Sequence, residues 1–330
     1  MKKILIIGYE FHGYLDRLTT KLNDSGYIVD CITHRQIFEC YPIFLRKAAY
    51  ISYRLLCRLL SKSSFSPKLY SLFCSKFQTS FIKKIVSQLS SVQFDLVLIV
   101  GTHELDTLGV ELLKDKISAQ KWALYKWDAE NRYSLQHIHS YFDAVFSFQL
   151  SDSIDGVHFL PNFHFVEPYK NIHVNRDIDL TAVSIFDKAR YKELSDFYNR
   201  LKPKEYRISF VSNKQLNLPF TTNERVDHQR LLSYYKKSKL VYDFSPKNQS
   251  GMSQRVLEAL ASGCNVVTQN QDALTLFGRS GRVFSPDSFF STIDSVSITS
   301  ESIDSLAEQC YCVNWFEEIY RVSHIPSENL

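Results

Sequence analysis

The sequence has no run of the roughly 20 apolar residues a helix needs to span a bilayer, so a transmembrane helix is not expected. Its start, Met1 to Gly13, is basic but sets only four consecutive apolar residues before Gly8, and no small-residue cleavage site follows. It reads as a first strand rather than as a leader peptide. The loop after that strand, Gly8 to Gly13, lacks G-x-G-x-x-G, which disfavours a dinucleotide-dependent dehydrogenase. The seven cysteines (31, 40, 57, 74, 264, 310 and 312) are odd in number and contain no CxxC pair. Cys310 and Cys312 stand close, but a zinc site needs two further ligands nearby. Reduced thiols in a cytoplasmic protein are the expectation. Internal repeats and low-complexity tracts are also lacking. Acidic residues are missing altogether from Cys40 to Phe94, where nine basic ones stand: Arg46, Lys47, Arg54, Arg58, Lys62, Lys68, Lys76, Lys83 and Lys84.

That last absence changes the meaning of the net charge. Over 330 residues, 39 Lys and Arg against 35 Asp and Glu leave +4, a nearly neutral balance. Outside the basic segment, 30 basic residues face 35 acidic ones, so a basic segment is attached to a slightly acidic protein. The length suggests about two domains at roughly 150 residues each. A 45% hydrophobic content supplies two cores.

The pattern along the chain is doubly wound α/β. Lys3–Ile7 reads as a strand, Asp16–Ser25 as a helix stopped by Gly26, and Tyr27–Thr33 as the next strand. Phe94–Gly101 is apolar throughout, as buried parallel strands are. Lys121–Trp127, Ala144–Phe148 and His158–Leu160 read as further strands. The polar, aperiodic stretch 164–178 suits a linker. The rhythm restarts with strand Leu180–Ser184, a helix near Tyr191–Leu201 and strand Tyr206–Val211. Helix Asp227–Ser238, strand Leu240–Phe244, helix Ser253–Ala261 and strand Asn265–Thr268 follow. The expected domains are 1–165 and 177–312, with 313–330 a helix and tail returning to the first.

Val241 to Asn270 carries the most chemistry. It reads as strand, polar loop, helix, glycine turn and strand, with Asn248-Gln249-Ser250-Gly251-Met252-Ser253 just before the helix N-terminus. Free backbone N–H groups and the positive end of the helix dipole suit such a place to a diphosphate. Gly251 allows the backbone close to the anion. A capped helix with a surface Glu258 is the plain alternative.

This segment resembles the nucleotide-sugar-binding signature of GT-B glycosyltransferases of the group-1 type. There a glycine-rich loop leads into a helix reading about L-x-E-A-x-A-x-G, here Leu257-Glu258-Ala259-Leu260-Ala261-Ser262-Gly263. Val226 to Asp243 resembles the preceding helix and strand. Tyr125-Lys126-Trp127-Asp128 and Asp187-Lys188-Ala189-Arg190 resemble two further segments of bacterial lipopolysaccharide and capsule enzymes. The resemblance implies two Rossmann-like domains facing across a cleft, with an N-terminal acceptor domain and a C-terminal donor domain. It implies that Glu258 binds the ribose and that the backbone from Gly251 to Ser253 holds the diphosphate. One departure is Ser250, which stands where retaining members often carry a second Glu, so that stereochemical inference does not transfer.

Glycosyl transfer builds negative charge on the departing diphosphate, which this family usually offsets with cations and helix termini rather than a metal. Arg190, with Lys188 nearby, and Arg255 are the candidate cations. Ser250, Gly251, Met252, Ser253 and Glu258 complete the expected donor site. For the general base that accepts the acceptor's proton, Asp128 stands first, with a helix N-cap as its alternative. His103 and Glu104 in the neighbouring loop are rivals, and His12 is a third candidate, with Gly8 on the same acceptor side. Asp177-x-Asp179 imitates a metal motif of another glycosyltransferase fold and reads as chance. No cofactor and no metal are expected, the nucleotide-sugar being a substrate.

Residues 43–89 place Arg and Lys among Leu, Ile, Phe and Tyr at near-helical spacing. Basic amphipathic helices lie in anionic membrane interfaces, which would suit a peripheral enzyme extending a saccharide or lipid-linked oligosaccharide for a cell-surface polysaccharide. Two ordinary amphipathic helices packed on the sheet are the alternative. No nucleic-acid-binding motif accompanies the charge. A nucleotide-sugar epimerase on the same fold, or a non-catalytic subunit of a polysaccharide assembly complex, remain as other readings.

Overall fold

The computed structural model describes residues 1–8, 13–33, 82–83, 86–87, 89, 93–101, 107–127, 135–153, 156–167, 175–245, 250–292 and 305–325. The chain divides into two compact units, the first comprising Met1–Ser147, Ile154–His158 and Phe316–Leu330, the second Phe148–Ser153 and Phe159–Trp315.

In the first unit, β1 (Lys3–Gly8), α1 (Tyr14–Asp24) and β2 (Ile28–Thr33) form the opening β-α-β turn. α1 buries Tyr14, Leu15, Leu18 and Leu22, one side of a 3.6-residue period. Gly26 then turns the chain at φ 92°, a left-handed conformation that costs glycine little. β3 (Gln93–Val100), α2 (Thr107–Lys116), β4 (Ser118–Lys126), β5 (Ala144–Ser147) and β6 (Val157–Phe159) follow. The sheet order is β2-β1-β3-β4-β5-β6, parallel between β1, β2, β3, β4 and β5. Leu96 to Ile99 are fully buried, because the central strand is covered on both faces.

The second unit contains β7 (Ile178–Ile185), α3 (Lys188–Leu201), β8 (Tyr206–Val211), β9 (Thr221–Thr222), α4 (His228–Lys237) and β10 (Ser238–Tyr242). α5 (Gln254–Ala261), β11 (Asn265–Val267), α6 (Gln271–Phe277), β12 (Val283–Phe284), α7 (Pro286–Thr292), α8 (Ser305–Gln309) and α9 (Cys312–Ser323) complete it, although α9 is shared between the units. Every pair in the order β12-β11-β10-β7-β8-β9 is parallel. β10 shows how both faces are filled. Leu240 and Tyr242 pack with Phe197, Phe210 and Phe289 on one side, while Val241 packs with Val256, Leu257 and Phe277 on the other.

The stretch from 159 to 166, read from the sequence as a domain end running into a linker, packs within the second unit. Phe163, His164, Phe165 and Val166 are buried. His164 bridges Tyr311 as in a parallel ladder, its N–H donating to Cys310 O (2.9 Å) and its carbonyl accepting from Cys312 N (2.9 Å). Trp315 at the start of α9 donates Nε1–H to Pro161 O (3.0 Å). From Phe316 onward the helix groups with the first unit, where Phe316 meets Tyr27 edge-on and Lys2 lies over the Tyr320 ring. Among the described residues no helix is long and apolar enough to cross a membrane.

Candidate functional site

In open parallel sheets, ligands bind at the carboxyl ends of strands where the order reverses. In the second unit that point lies between β7 and β10, whose outward connections lead to opposite sides. The residues after these two strands therefore stand where such a sheet binds its ligand.

After β7, Asp187 caps α3, its Oδ1 accepting from the N–H of Ala189 (2.9 Å) and Arg190 (3.1 Å). The cap fixes Arg190 in the first turn, and its half-buried guanidinium donates to Ser184 Oγ on β7 (3.1 Å). Lys188 is exposed at the helix start. One turn on, Glu193 accepts from Tyr242 Oη (2.7 Å) at the end of β10. Burial pushes the Glu193 carboxyl above its ordinary range, against the opposing pull of Tyr242. Burial and Glu193 together push the Tyr242 phenol up.

After β10, Asp243 is the hub. It is 1% exposed and accepts from Ser253 Oγ (2.7 Å), Arg255 Nε (3.0 Å) and Thr268 Oγ1 (3.0 Å). Three donors satisfy a carboxylate that burial would otherwise penalise. Arg255, expected at a diphosphate, is held by Asp243 and by Phe244 O (3.2 Å). Ser253 is the N-cap of α5, but its hydroxyl serves Asp243 rather than the helix.

The turn before α5 is clamped from three sides. Gln149 Oε1 accepts from the N–H of Ser250 (3.1 Å) and Gly251 (3.4 Å), Asn270 Nδ2 donates to Gly251 O (3.1 Å), and Asn162 Nδ2 donates to Met252 O (3.0 Å). Of the amides from Gly251 to Ser253 expected to face an anion, that of Gly251 thus faces a glutamine. Gly251 answers a packing demand, since a Cβ there would stand 2.3 Å from the Phe148 ring. Met252, also expected at the donor, is fully buried among Val256, Leu257 and Ala273. Residues 246–249 lie outside the described residues.

Glu258 is 1% exposed in the middle of α5, and its Oε1 lies 2.6 Å from His228 Nε2 on α4. A carboxylate accepts only, so Nε2 carries the proton. Glu258 is therefore not the surface residue of the plain alternative.

In the first unit the order reverses between β1 and β3. Gly8 ends β1, where a Cβ would meet Leu15 Cδ1 at 2.7 Å, so close packing accounts for this glycine. Trp127 follows β4, edge-on to Tyr14 and Tyr125 at 6.2 and 6.4 Å. His12, His103, Glu104 and Asp128 lie outside the described residues, as does most of the basic segment 43–89.

Asp179 is structural, accepting from Lys204 N–H, Glu205 N–H and Lys239 Nζ. Burial works against it, yet these donors hold its carboxyl below the usual range. Among the described residues no group of three His, Cys, Asp or Glu could hold a metal ion.

Sequence reasoning passed over His228, Asp243, Gln149, Asn162 and Asn270. Asp243 had a signal, a carboxylate directly after an apolar strand. Gln149 had none, standing about 100 residues from the turn it holds.

A family model described as glycosyl transferase-like matches residues 190–318. A search of curated proteins found no match to this chain. Among solved structures, MurG of Acinetobacter baumannii is similar over 98% of this chain and 99% of its own, at 11% identity and a TM-score of 0.55. The UDP-GlcNAc 2-epimerase of Neisseria meningitidis, bound to UDP-GlcNAc, is similar over 98% and 99% at 13% identity and a TM-score of 0.54. A mutant of S. aureus TarM, in complex with fondaparinux, alpha-GlcNAc-glycerol and UDP, covers 98% and 100% at 8% identity and a TM-score of 0.52. The resemblance read from Val241 to Asn270 agrees with these findings: the chain has the GT-B fold, and its residues 190–318 match a glycosyl transferase-like domain.

Proposed function

We propose that the protein transfers a sugar from a nucleotide-sugar donor to a saccharide acceptor, with the donor held at the β7/β10 switch point. The observation that carries this reading is that a glycosyl transferase-like family model matches residues 190–318, a span that includes both Arg190 after β7 and Glu258 on α5.

In the reaction, an acceptor hydroxyl oxygen bonds to the anomeric carbon as that carbon's bond to the diphosphate oxygen breaks. The departing diphosphate gains charge, which Arg190 offsets from the first turn of α3. Glu258 accepts hydrogen bonds from ribose hydroxyls, and Asp243 ties the start of α5 to the end of β11 through Ser253, Arg255 and Thr268. Asp128, which follows β4 in the chain, takes the acceptor proton. The nucleotide-sugar is consumed, and the reading calls for no resident cofactor or metal.

The transferred sugar is proposed to be a hexosyl group, and the acceptor a lipid-linked oligosaccharide destined for a lipopolysaccharide or capsule. The basic segment 43–89 supports contact with the anionic inner face of the cytoplasmic membrane, since each Lys or Arg adds about 1 kcal/mol there. Sedimentation with anionic liposomes should show binding that salt removes; no binding at low salt excludes this arm.

The test is a panel of UDP-, GDP-, CMP- and dTDP-sugars with and without acceptor lipids. Transfer from one donor class supports the reading. A changed sugar without acceptor indicates an epimerase, and nucleotide binding without turnover indicates a binding subunit. Asp128→Asn should spare donor binding and abolish transfer; full activity in that variant removes the assignment of the base.

A further inference from the structure

The Glu258 carboxylate is almost wholly buried, and His228 is the described side chain that meets it, at 2.6 Å on Oε1. Among the described residues no donor meets its second oxygen, Oε2. Its helical neighbours Val256, Leu257, Ala259 and Leu260 are all buried and apolar. A buried charge with one partner is a poor source of stability, and an apolar residue of similar volume usually does as well. Core packing therefore does not explain the pair.

Both ends of the pair are fixed. His228 is the first residue of α4, whose N-cap Asp227 accepts from Arg230 N–H (2.8 Å). The Phe165 ring stands edge-on to the imidazole at 6.5 Å. α5 is clamped at its far end, where Arg176 donates to Ser262 O (2.7 Å) and Arg282 donates to Leu260 O (3.0 Å). What remains free in a glutamate so placed is rotation of the carboxylate plane, a soft torsion. A short charge-assisted hydrogen bond to one oxygen removes that freedom and turns the other oxygen in a set direction.

We infer that His228 is a positioning residue for the donor: it orients the Glu258 carboxylate so that Oε2 accepts from a ribose hydroxyl. The inference rests on the donor reading above. It makes selection for the sugar of the nucleotide a property of two helices, with the imidazole on one and the carboxylate on the other.

The test is calorimetric titration of the full chain with UDP, GDP, CDP and ADP and with their 2′- and 3′-deoxy forms. In the wild type, removing the contacted hydroxyl should weaken binding about tenfold, the usual scale for a hydrogen bond to a charged group. His228→Ala should weaken the ribonucleotide by about tenfold and reduce its preference over the deoxy form toward one. His228→Gln, which can still donate an N–H, should restore most of that preference. His228→Asn, too short to reach Oε1, gives the same reading as the alanine variant should that one fold poorly. A purely structural histidine would weaken ribo and deoxy forms alike. Unchanged discrimination in His228→Ala or His228→Asn overturns the inference, as does a wild type that does not discriminate. If none of the four nucleotides binds the wild type, the donor reading falls and this inference with it.

Discussion

Gly251→Ala should destabilise the second unit, and the coordinates set the scale. The added methyl would stand 2.3 Å from Phe148 Cε2, 2.5 Å from Cδ2 and 2.8 Å from Gln149 Cγ. Carbon atoms rest about 3.5–4.0 Å apart, so more than an ångström must be opened. Phe148 is fully buried, and a close-packed interior offers no slack to move its rigid ring. If the turn shifts instead, the bonds from Ser250 and Gly251 N–H to Gln149 are lost. Overpacking of this kind costs about 1–3 kcal/mol. For a unit of about 150–250 residues each kcal/mol moves Tm by about 2–4 °C, so a fall of about 2–12 °C is expected by calorimetry. Pairing the change with Phe148→Leu should recover about 0.5–3 kcal/mol relative to the sum of the single effects, because the clashing ring edge is gone. An unchanged Tm, or strictly additive effects, would refute the packing argument.

Asp243→Asn removes the charge of a buried carboxylate that three donors share and should cost about 3 kcal/mol in urea unfolding, the low end for a buried pair because Arg255 is 27% exposed; a loss under about 0.5 kcal/mol contradicts the hub role. His164 donates Nε2–H to Ala307 O and accepts from Val166 N–H at Nδ1, and burial lowers its pKa from 6.5. The unfolded chain then binds the proton first, so stability holds above pH about 6.5 and declines as pH falls below it toward the depressed folded value. Thermal melts across that window should show the decline, and His164→Gln should flatten it; equal slopes refute the assignment. Burial pushes the Cys264 thiol up to about 11, so iodoacetamide at pH 8 should leave it unmodified in the native protein and label it in denaturant. Native labelling of Cys264 would show that the α4/α5 core opens.

The parallel sheets were legible because their strands are buried on both faces. Leu96 to Ile99 stand out by apolar content, and the Asp227 cap marked the start of α4. Short or mixed elements were not legible. α6, β12 and α7 carry weak periodicity over seven residues or fewer, and tertiary packing forms them. The stretch 164–178 read as linker because the polar, aperiodic run after Val166 outweighs His164, Phe165 and Val166, which the second unit buries. In the candidate site, Arg190 and Glu258 were singled out by the resemblance and by their places after a strand and on a loop-following helix. The partners that decide their behaviour come from distant positions: His228 is 30 residues from Glu258, and Gln149 is 101 from Ser250. Gly251 was read as making room for an anion, whereas the structure shows it making room for Phe148. Arg255 was placed at the donor by its position in the first turn of α5, but its side chain turns to Asp243.

The central claim is that Arg190 and Glu258 form one donor site at the β7/β10 switch point. Titration of UDP, GDP, CDP and dTDP into wild type, Arg190→Ala and Glu258→Ala tests it most directly. The account predicts binding of one nucleotide by the wild type, with affinity reduced about tenfold or more in each variant at unchanged fold. Binding that both variants retain in full, or no binding by the wild type, would contradict it.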